Sequence, residues 1–553
     1  MLRTLQPAAV AAALAAAGGR RAAAGRGGAA PAPYSTSAGA LDWLRKFTNY
    51  EQSGVPQAAG TNTDAGFDLA RMRRLLADLG DPHHAWPAAA HVAGTKGKGS
   101  TVAMLGSILA AAGYKAGAYT SPHIQALNER IAVGGRPISD ADLEGLLARH
   151  GGAVEAAHLR EGGALSDFEI VTALAYKHFQ EQQAGGGTGL AARGPLMPPD
   201  ASVIAAVGHD HAAALGGSIE SIAAAKAGIM QAGRPVVLAR QPDAAAEAVL
   251  LQRAQELDCP VIHAPQEVEF AAAKAAAASS SSGSSGSSDS LLQLLRQRRR
   301  MVLRGQTAAA FVGSGSPVEL DVRLRLLGSH QLDNAAAAVA AAACLRRHGL
   351  DRVDLRSVAA GLEAATLPGR FQVCQFAEDA EAAAEAAARA AQGGSSGGDG
   401  GGGEAGPWVV LDGAHTPESS AALASTLREA FPTAPVAVVM AMAEDKQHRE
   451  FCLALRAVEP SVVVFTTVAI AGGAARAAGP GQLAGAWQAA AILGGGRRRG
   501  GPRTRELIQA SLTAAVERAR MELRAQRGER GVVLVCGSLH AVGAALAQLP
   551  LAC

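Results

Sequence analysis

At 553 residues the chain exceeds what one ordinary hydrophobic core fills, so two globular domains with poorly ordered insertions are the expected plan. Aromatic residues make up only 4% while glycine reaches 66, and the excess of Gly and Ala falls in blocks that read as low-complexity spacers. Net charge is +3, and Arg3, Arg20, Arg21 and Arg26 account for more than all of it, which leaves no global field to favour nucleic acid.

Residues 1–38 hold those arginines, no acidic residue and much Ala, Ser and Thr, the composition of an organellar targeting peptide. A mitochondrial address is expected, with plastid or cytosol as alternatives, and a plain disordered start is the rival reading. The apolar stretch 8–17 is too short to span a bilayer, so no membrane partner is expected. Six widely spaced cysteines, Cys259, Cys344, Cys374, Cys452, Cys536 and Cys553, form no CxxC pair and argue for a reducing compartment without zinc site or disulfide framework. The arginine runs 298–300 and 497–499 beside Gly/Ser-rich segments read as solvated tethers.

From about Ala40 an ordered block is expected. Leu69, Met72, Leu75 and Leu76 keep helix spacing. A short strand, His91-Val92-Ala93, runs into a glycine-rich turn, after which Val102, Leu105, Ile108 and Leu109 recur at helix spacing until Gly113. Strands at 202–207, 235–238 and 260–263, with a helix over roughly 219–231, continue an alternation that implies a parallel sheet covered by helices. A second, smaller α/β block begins near Pro368, with strands at 408–411, 436–440, 462–465 and 532–535. Segments 271–290, 379–406 and roughly 471–503 are too poor in large apolar residues to offset their ordering entropy, and are expected as disordered insertions. The domains are therefore drawn at 39–366 and 367–553.

The first chemical signal is Gly94-Thr95-Lys96-Gly97-Lys98-Gly99-Ser100-Thr101. Glycines let successive N–H groups turn inward around phosphate oxygens, the helix N-terminus adds favourable potential, Lys98 reaches the outer phosphates and a hydroxyl meets magnesium. The spacing departs from the common P-loop because Gly99 separates Lys98 from Ser100, and a chance Gly/Lys turn is the competing reading. Taken alone, His211 would be a structural or surface histidine and Lys226 a solvated helix residue.

The variant loop resembles that of the folate-ligase branch of the Mur ligase superfamily. Neighbouring residues are similar as well: Tyr119-Thr120-Ser121-Pro122-His123 with Asn128-Glu129-Arg130-Ile131, then Asp210-His211, Leu215-Gly216-Gly217 and Lys226-Ala227-Gly228-Ile229. Later come Gly328-Ser329-His330-Gln331 with Asn334, Leu367-Pro368-Gly369-Arg370-Phe371, and Asp412-Gly413-Ala414-His415-Thr416-Pro417, with Thr416 where the family has asparagine. Asp445-Lys446 and Gly537-Ser538-Leu539 are weaker matches.

The resemblance implies a P-loop ATPase domain with a parallel sheet followed by a smaller Rossmann-like α/β domain. It implies that ATP binds residues 94–101 together with Asn334, Arg370, Asp412 and His415, and that Ser100, Ser121 and His211 hold Mg2+. Lys98, His211 and Lys226 would be catalytic, Lys226 as a carbamate. The reaction implied is phosphorylation of a carboxylate by ATP and attack on the acyl phosphate by the amine of L-glutamate. The approach to the loop, Asn49 to Pro56 and Gly66 to Met72, and the segment 214–222 resemble plant-type dihydrofolate synthases. The carboxylate would then be that of 7,8-dihydropteroate, with tetrahydrofolate and a polyglutamate tail as the alternative, in a monomer.

One departure stands out. After the helix beginning at Ser166-Asp167-Phe168-Glu169 the family continues with a strand that ends in a magnesium-binding glutamate, then a glycine-rich pterin loop. Here residues 180–199 carry Glu181 as their only acidic residue. The expectation is a parallel sheet short of one interior strand. A wrongly assembled coding sequence is the favoured explanation, ahead of replacement by a residue such as Asp200 or a catalytically dead paralogue.

Overall fold

The computed structural model describes residues 38–49, 69–86, 88–183, 189–192, 200–209, 217–272, 287–381, 406–470, 476–493, 504–526 and 530–553. The targeting segment expected over 1–38 lies outside these residues but for its last position, as do Asp210, His211 and the approach residues 50–68.

Helix α1 (Leu69–Asp78) buries Met72, Leu75 and Leu76, the apolar stripe read from the sequence. The chain then enters β1 (Ala88–Ala93), α2 (Lys98–Ala111), β2 (Lys115–Tyr119), β3 (Ile131–Val133), β4 (Arg136–Pro137) and α3 (Asp167–Gln183). Next come β5 (Gly189–Ala192), β6 (Ala201–Ile204), α4 (Ile219–Ala227), β7 (Val236–Leu238) and β8 (Val261–His263). These strands form one sheet of order β4-β3-β2-β5-β1-β6-β7-β8. From β2 to β8 the neighbours run parallel, while β3 and β4 close one edge antiparallel.

A three-stranded antiparallel sheet follows, β9 (Val268–Ala272), β10 (Arg298–Leu303) and β11 (Val318–Arg323), with α5 (Ser287–Arg296) before its middle strand. Helix α6 (His330–Arg347) then runs through the core with an almost unbroken row of buried alanines from Ala335 to Ala343. Small side chains let α2 and α7 (Leu355–Ala364) pack closely: a Cβ on Gly361 would stand 2.3 Å from Ile108 Cα.

The second block comprises β12 (Gln372–Phe376), β13 (Trp408–Leu411), α8 (Pro417–Ala430), β14 (Val436–Met440), β15 (Val462–Phe465), α9 (Pro480–Leu493), β16 (Arg505–Ile508), β17 (Val532–Cys536), α10 (Leu539–Gln548) and β18 (Leu551–Ala552). Its sheet order is β16-β15-β14-β17-β13-β12-β18, parallel except for β12 against β13 and β18. Leu291 of α5 and Leu327 pack in this second core, so part of the chain before residue 367 sides with the later block.

The structure differs from the sequence reading in three places. The interior strand expected to be lost is present: β5 pairs parallel with both β1 and β2. Gly189–Ala192 has no apolar run to announce it, but a strand held from both sides needs only its backbone donors and acceptors. At the insertions, the strand Val268–Ala272 and the helix Ser287–Arg296 extend into the two ends of 271–290, and α9 lies inside 471–503. Leu483, Trp487 and Ala490 form a buried stripe at helix spacing on α9, diluted in the sequence by glycine and alanine. In the insertion at 379–406, Asp379 is buried and bonded by Arg520 and Arg524, beside Gly406 at its other end; residues 382–405 lie outside the described set. Finally, Cys374 and Cys553 form a disulfide. Their separation of 179 residues hid the pair, and the antiparallel pairing of β12 with β18 brings them together. No described helix is long and apolar enough to cross a membrane.

Candidate active site at the carboxyl edge of the first sheet

The turn after β1 is set by Gly94 at φ 137° and Gly97 at φ 89°, conformations open to glycine and costly for other residues. Space is also short there. A Cβ on Gly94 would meet Ala205 at 2.9 Å, and one on Gly97 would meet Asn334 Oδ1 at 2.2 Å. Thr95 and Lys96 donate their N–H groups to Ala206 O, and Thr95 Oγ1 and the Gly208 backbone bond each other, so the turn is anchored to the end of β6.

Gly97 is the N-cap of α2 and offers no side-chain cap. The first intrahelical bond runs from Thr101 N to Gly97 O (2.9 Å), so the N–H groups of the residues before Thr101 stand ahead of the ladder, at the helix end whose potential favours an anion. Lys98 Nζ bonds Gly94 O and Thr95 O (2.9 and 3.0 Å), so the ammonium group is held over the concave side of the turn. Ser100 is buried in the first helical turn, and Ser121 is exposed at the carboxyl end of β2 on the same sheet edge. The neighbouring loop is shaped by Glu129, whose carboxylate accepts the N–H groups of Ile124, Gln125 and Ala126 at 2.7, 2.8 and 3.0 Å. Glu129 belongs to the 128–131 motif, and these three bonds, which local sequence does not reveal, are its structural role.

Helix α4 carries Lys226, half-buried in its last turn. Ile219, Ile222, Ala223 and Ala227 of that helix pack with Ala93 and Ile204, so it rests on the strand ends that hold the turn. His211 lies outside the described residues. Asp200 sits at the wrong end of the sheet to replace the absent glutamate. Its N–H and carboxylate bond the backbone of Ala89, and its second oxygen faces Arg234 at 3.4 Å. Five extended residues, roughly 16 Å, separate Ala89 from Gly94. Glu181 is engaged with Arg149 and His150.

From the second block, Asp412 follows β13 and organises the turn. Its carboxylate accepts from Phe371 N (2.7 Å) and Ala414 N (2.8 Å), while Gly413 N bonds Gly369 O (3.0 Å). Burial pushes this carboxyl above the usual carboxylate range, opposed by the Arg370 guanidinium, the two N–H donors and His330. His415 Nδ1 lies 2.8 Å from Gly413 O and, facing a carbonyl, must be the protonated nitrogen. Thr416 in place of asparagine serves as N-cap of α8: its side chain accepts from Ser419 N while Ser419 Oγ accepts from Thr416 N.

Contacts between the blocks join these pieces. Asn334 Nδ2 donates to Gln331 Oε1 (2.9 Å), and its oxygen faces Gly97. Gly99 has Leu367 beside it, and a Cβ on Gly369 would touch both Val542 of α10 and Ile124. Ile124 O lies so close to Gly543 that a Cβ there would sit 2.3 Å away. Ile124 and Gly543 were not singled out from the sequence, and Leu367 stood there only as the first residue of the 367–371 motif, because their role is contact across the block boundary. The structure thus brings together residues 94–101, Asn334, Arg370, Asp412 and His415 around the facing edges of two sheets, with Ser121 on the first of them.

Comparison with known proteins places the fold and the family. Residues 189–342 match the Mur ligase middle domain and residues 402–539 the Mur ligase glutamate ligase domain. The dihydrofolate synthase/folylpolyglutamate synthase of Bacillus subtilis is 32% identical over 402 residues, covering 71% of this chain and 80% of the relative. The enzyme of the same description from Mycobacterium tuberculosis is 30% identical over 417 residues, covering 72% and 73%. The solved Mycobacterium tuberculosis folylpolyglutamate synthase complexed with ADP superposes with a TM-score of 0.64 at 25% identity, over 86% of this chain and 93% of that one. The chain therefore belongs to the folylpolyglutamate synthase/dihydrofolate synthase family of the Mur ligase superfamily, as an ATP-dependent glutamate ligase.

Proposed function

We propose that the chain joins L-glutamate to 7,8-dihydropteroate, giving dihydrofolate, ADP and phosphate. The observation that carries the nucleotide half is the uncapped start of α2 beneath Gly94 and Gly97, with Lys98 held over it. In the first step a carboxylate oxygen takes the γ-phosphoryl group of ATP and ADP leaves. In the second the glutamate nitrogen attacks the carbonyl carbon, phosphate departs and the amine gives up a proton. The amides of residues 98–100 and the Lys98 ammonium would hold the phosphate oxygens as charge shifts among them. Asp412 fixes the turn that carries Arg370 and His415 toward the same nucleotide.

Ser100 and Ser121 offer hydroxyl oxygens to magnesium, whose contribution when bound would be to neutralise phosphate charge. With Asp200 at the far edge, the described residues do not supply the carboxylate that the family places near them. His211 as a further ligand and Lys226 as a carbamate belong to the same proposal, on the strength of sequence order. So does the mitochondrial address, which rests on the arginine-rich composition of residues 1–38.

Dihydropteroate is preferred for the residues flanking the loop, Asn49 to Pro56 and Gly66 to Met72, which resemble plant-type dihydrofolate synthases. Extension of tetrahydrofolate is the second reading, favoured by the double activity in the names of the relatives. The test is purified protein with ATP, magnesium and labelled glutamate, offered either acceptor while ADP is followed. Product with tetrahydrofolate alone overturns the preferred acceptor. ATP binding with no turnover on either would mark a catalytically impaired paralogue.

A further inference from the structure

We propose that Asp81, His83 and His84 form a site for a divalent first-row transition ion, with zinc as its occupant, on the edge of the sheet opposite the nucleotide turn. One ring nitrogen from each histidine and one carboxylate oxygen of Asp81 lie within 4.8 Å of one another. The two imidazoles are tilted at 40° to each other with centroids 4.2 Å apart, His83 buried and His84 exposed beside the exposed Asp81. Nothing in the ATP-dependent reaction uses this group.

The backbone beneath it is unusual. Asp81 adopts φ 50° and ψ 51°, a left-handed conformation that a residue with a side chain seldom takes, directly after Gly80 at φ 79°. It is held there by Asp81 N to Leu76 O (2.9 Å) and His84 N to Asp81 O (3.0 Å), with Pro82 fixing the next torsion. All three side chains therefore leave a short, fixed turn on one side, and ligation closes no long loop. The turn packs against α3, and Lys177 of that helix bonds Leu79 O at 3.0 Å.

Ligand chemistry selects the ion. Two imidazoles and one carboxylate suit zinc, cobalt or nickel, whereas magnesium and calcium prefer oxygen donors throughout. Zinc bonds of about 2.0–2.2 Å need the three donors to draw somewhat closer than they stand, which rotation of the exposed Asp81 and His84 side chains allows. Water would complete a tetrahedron. The site precedes β1, whose length of roughly 16 Å separates it from Gly94, so zinc here would brace the turn that feeds the phosphate strand and would not join the chemistry. The proposal is independent of which acceptor the enzyme uses.

The test uses the full chain, stripped with a chelator and free of nucleotide, titrated with zinc by calorimetry and checked by equilibrium dialysis with elemental analysis. One tightly held equivalent is expected, and titration with cobalt should give the visible absorption of a four-coordinate nitrogen/oxygen site. His84→Ala and Asp81→Asn alter exposed side chains, and each should weaken that equivalent by at least about tenfold while leaving magnesium-ATP turnover unchanged. Absence of zinc binding by the wild-type chain, or equal affinity and an identical cobalt spectrum in both variants, would overturn the assignment and, in the second case, move the ion to other histidines.

Discussion

Two turns in this molecule look alike in outline and differ in what they do with their donors. Each follows the carboxyl end of an apolar parallel strand and opens a helix: residues 94–97 between β1 and α2, and residues 412–416 between β13 and α8. The second satisfies itself. Asp412 absorbs two N–H groups, His415 bonds back to Gly413 O, and Thr416 caps the helix. The first keeps its helix uncapped and leaves amides ahead of the ladder. A turn that completes its own hydrogen bonds can place side chains, whereas one that does not has backbone to offer a phosphate.

The sharpest way to break this contrast is at Lys98. Lys98→Ala should lower kcat about 10³-fold, as loss of one charged clamp on a transferring phosphoryl group does, with circular dichroism unchanged. ADP release near the wild-type rate would mean that the first turn is not the phosphate site.

Each turn has a titratable group shielded from water, His91 just ahead of the first and Asp412 within the second, and the two respond oppositely to acid. His91 on β1 is pushed down to about 4 by burial, and its Nδ1 has no hydrogen-bond partner among the described residues. The unfolded chain takes up this proton near the ordinary histidine value of 6.5, so the stabilising contribution is full above that pH and is lost as pH falls toward 4. The loss should reach about 3 kcal/mol in urea unfolding, and His91→Gln should flatten the dependence. Asp412 is shifted upward, so its protonation on acidification favours the folded state. Acid should therefore loosen the first block before the second; equal loss of both, followed by hydrogen exchange, would deny that difference.

Glycines at the two turns offer a finer comparison. Gly97→Ala places a Cβ 2.2 Å from Asn334 Oδ1 at a residue with φ 89°. Nucleotide affinity should fall about tenfold to a hundredfold, measured by calorimetry with ADP. Gly413→Ala instead meets Leu539 Cδ2 at 2.3 Å and Arg370 Nη1 at 2.9 Å, both near the ends of side chains that can rotate. Its effect should stay below about tenfold. The reverse ranking would shift the rigid phosphate cradle to the second block.

What the sequence disclosed follows the same division. The 94–101 turn was legible because its shape is carried by local features, glycines and a lysine between a strand and an apolar helix stripe. Strands 408–411, 436–440 and 462–465 were legible because they are buried on both faces and read as apolar runs. Strand β5 was not, since a Gly/Ala segment earns its place from backbone bonds to β1 and β2 that no local pattern records. Helix α9 was masked by the composition around Trp487, and Cys374 met Cys553 only through strand pairing. Contacts such as Ile124 with Gly543 depend on how the two blocks meet.

The smallest effect concerns Thr416, where the sequence departs from its family. Asparagine and threonine both present an oxygen one short side chain away from the backbone, the distance an N-cap needs, and Thr416 uses it to accept from Ser419 N. Thr416→Asn should therefore change stability by only a few tenths of a kcal/mol and leave turnover within about twofold. Thr416→Ala should cost about 1 kcal/mol, seen as a fall in Tm of roughly 2–4 °C. If asparagine instead raised kcat many-fold without moving Tm, the residue would touch the substrate, and the second turn would have to be counted among those that keep groups open for a ligand.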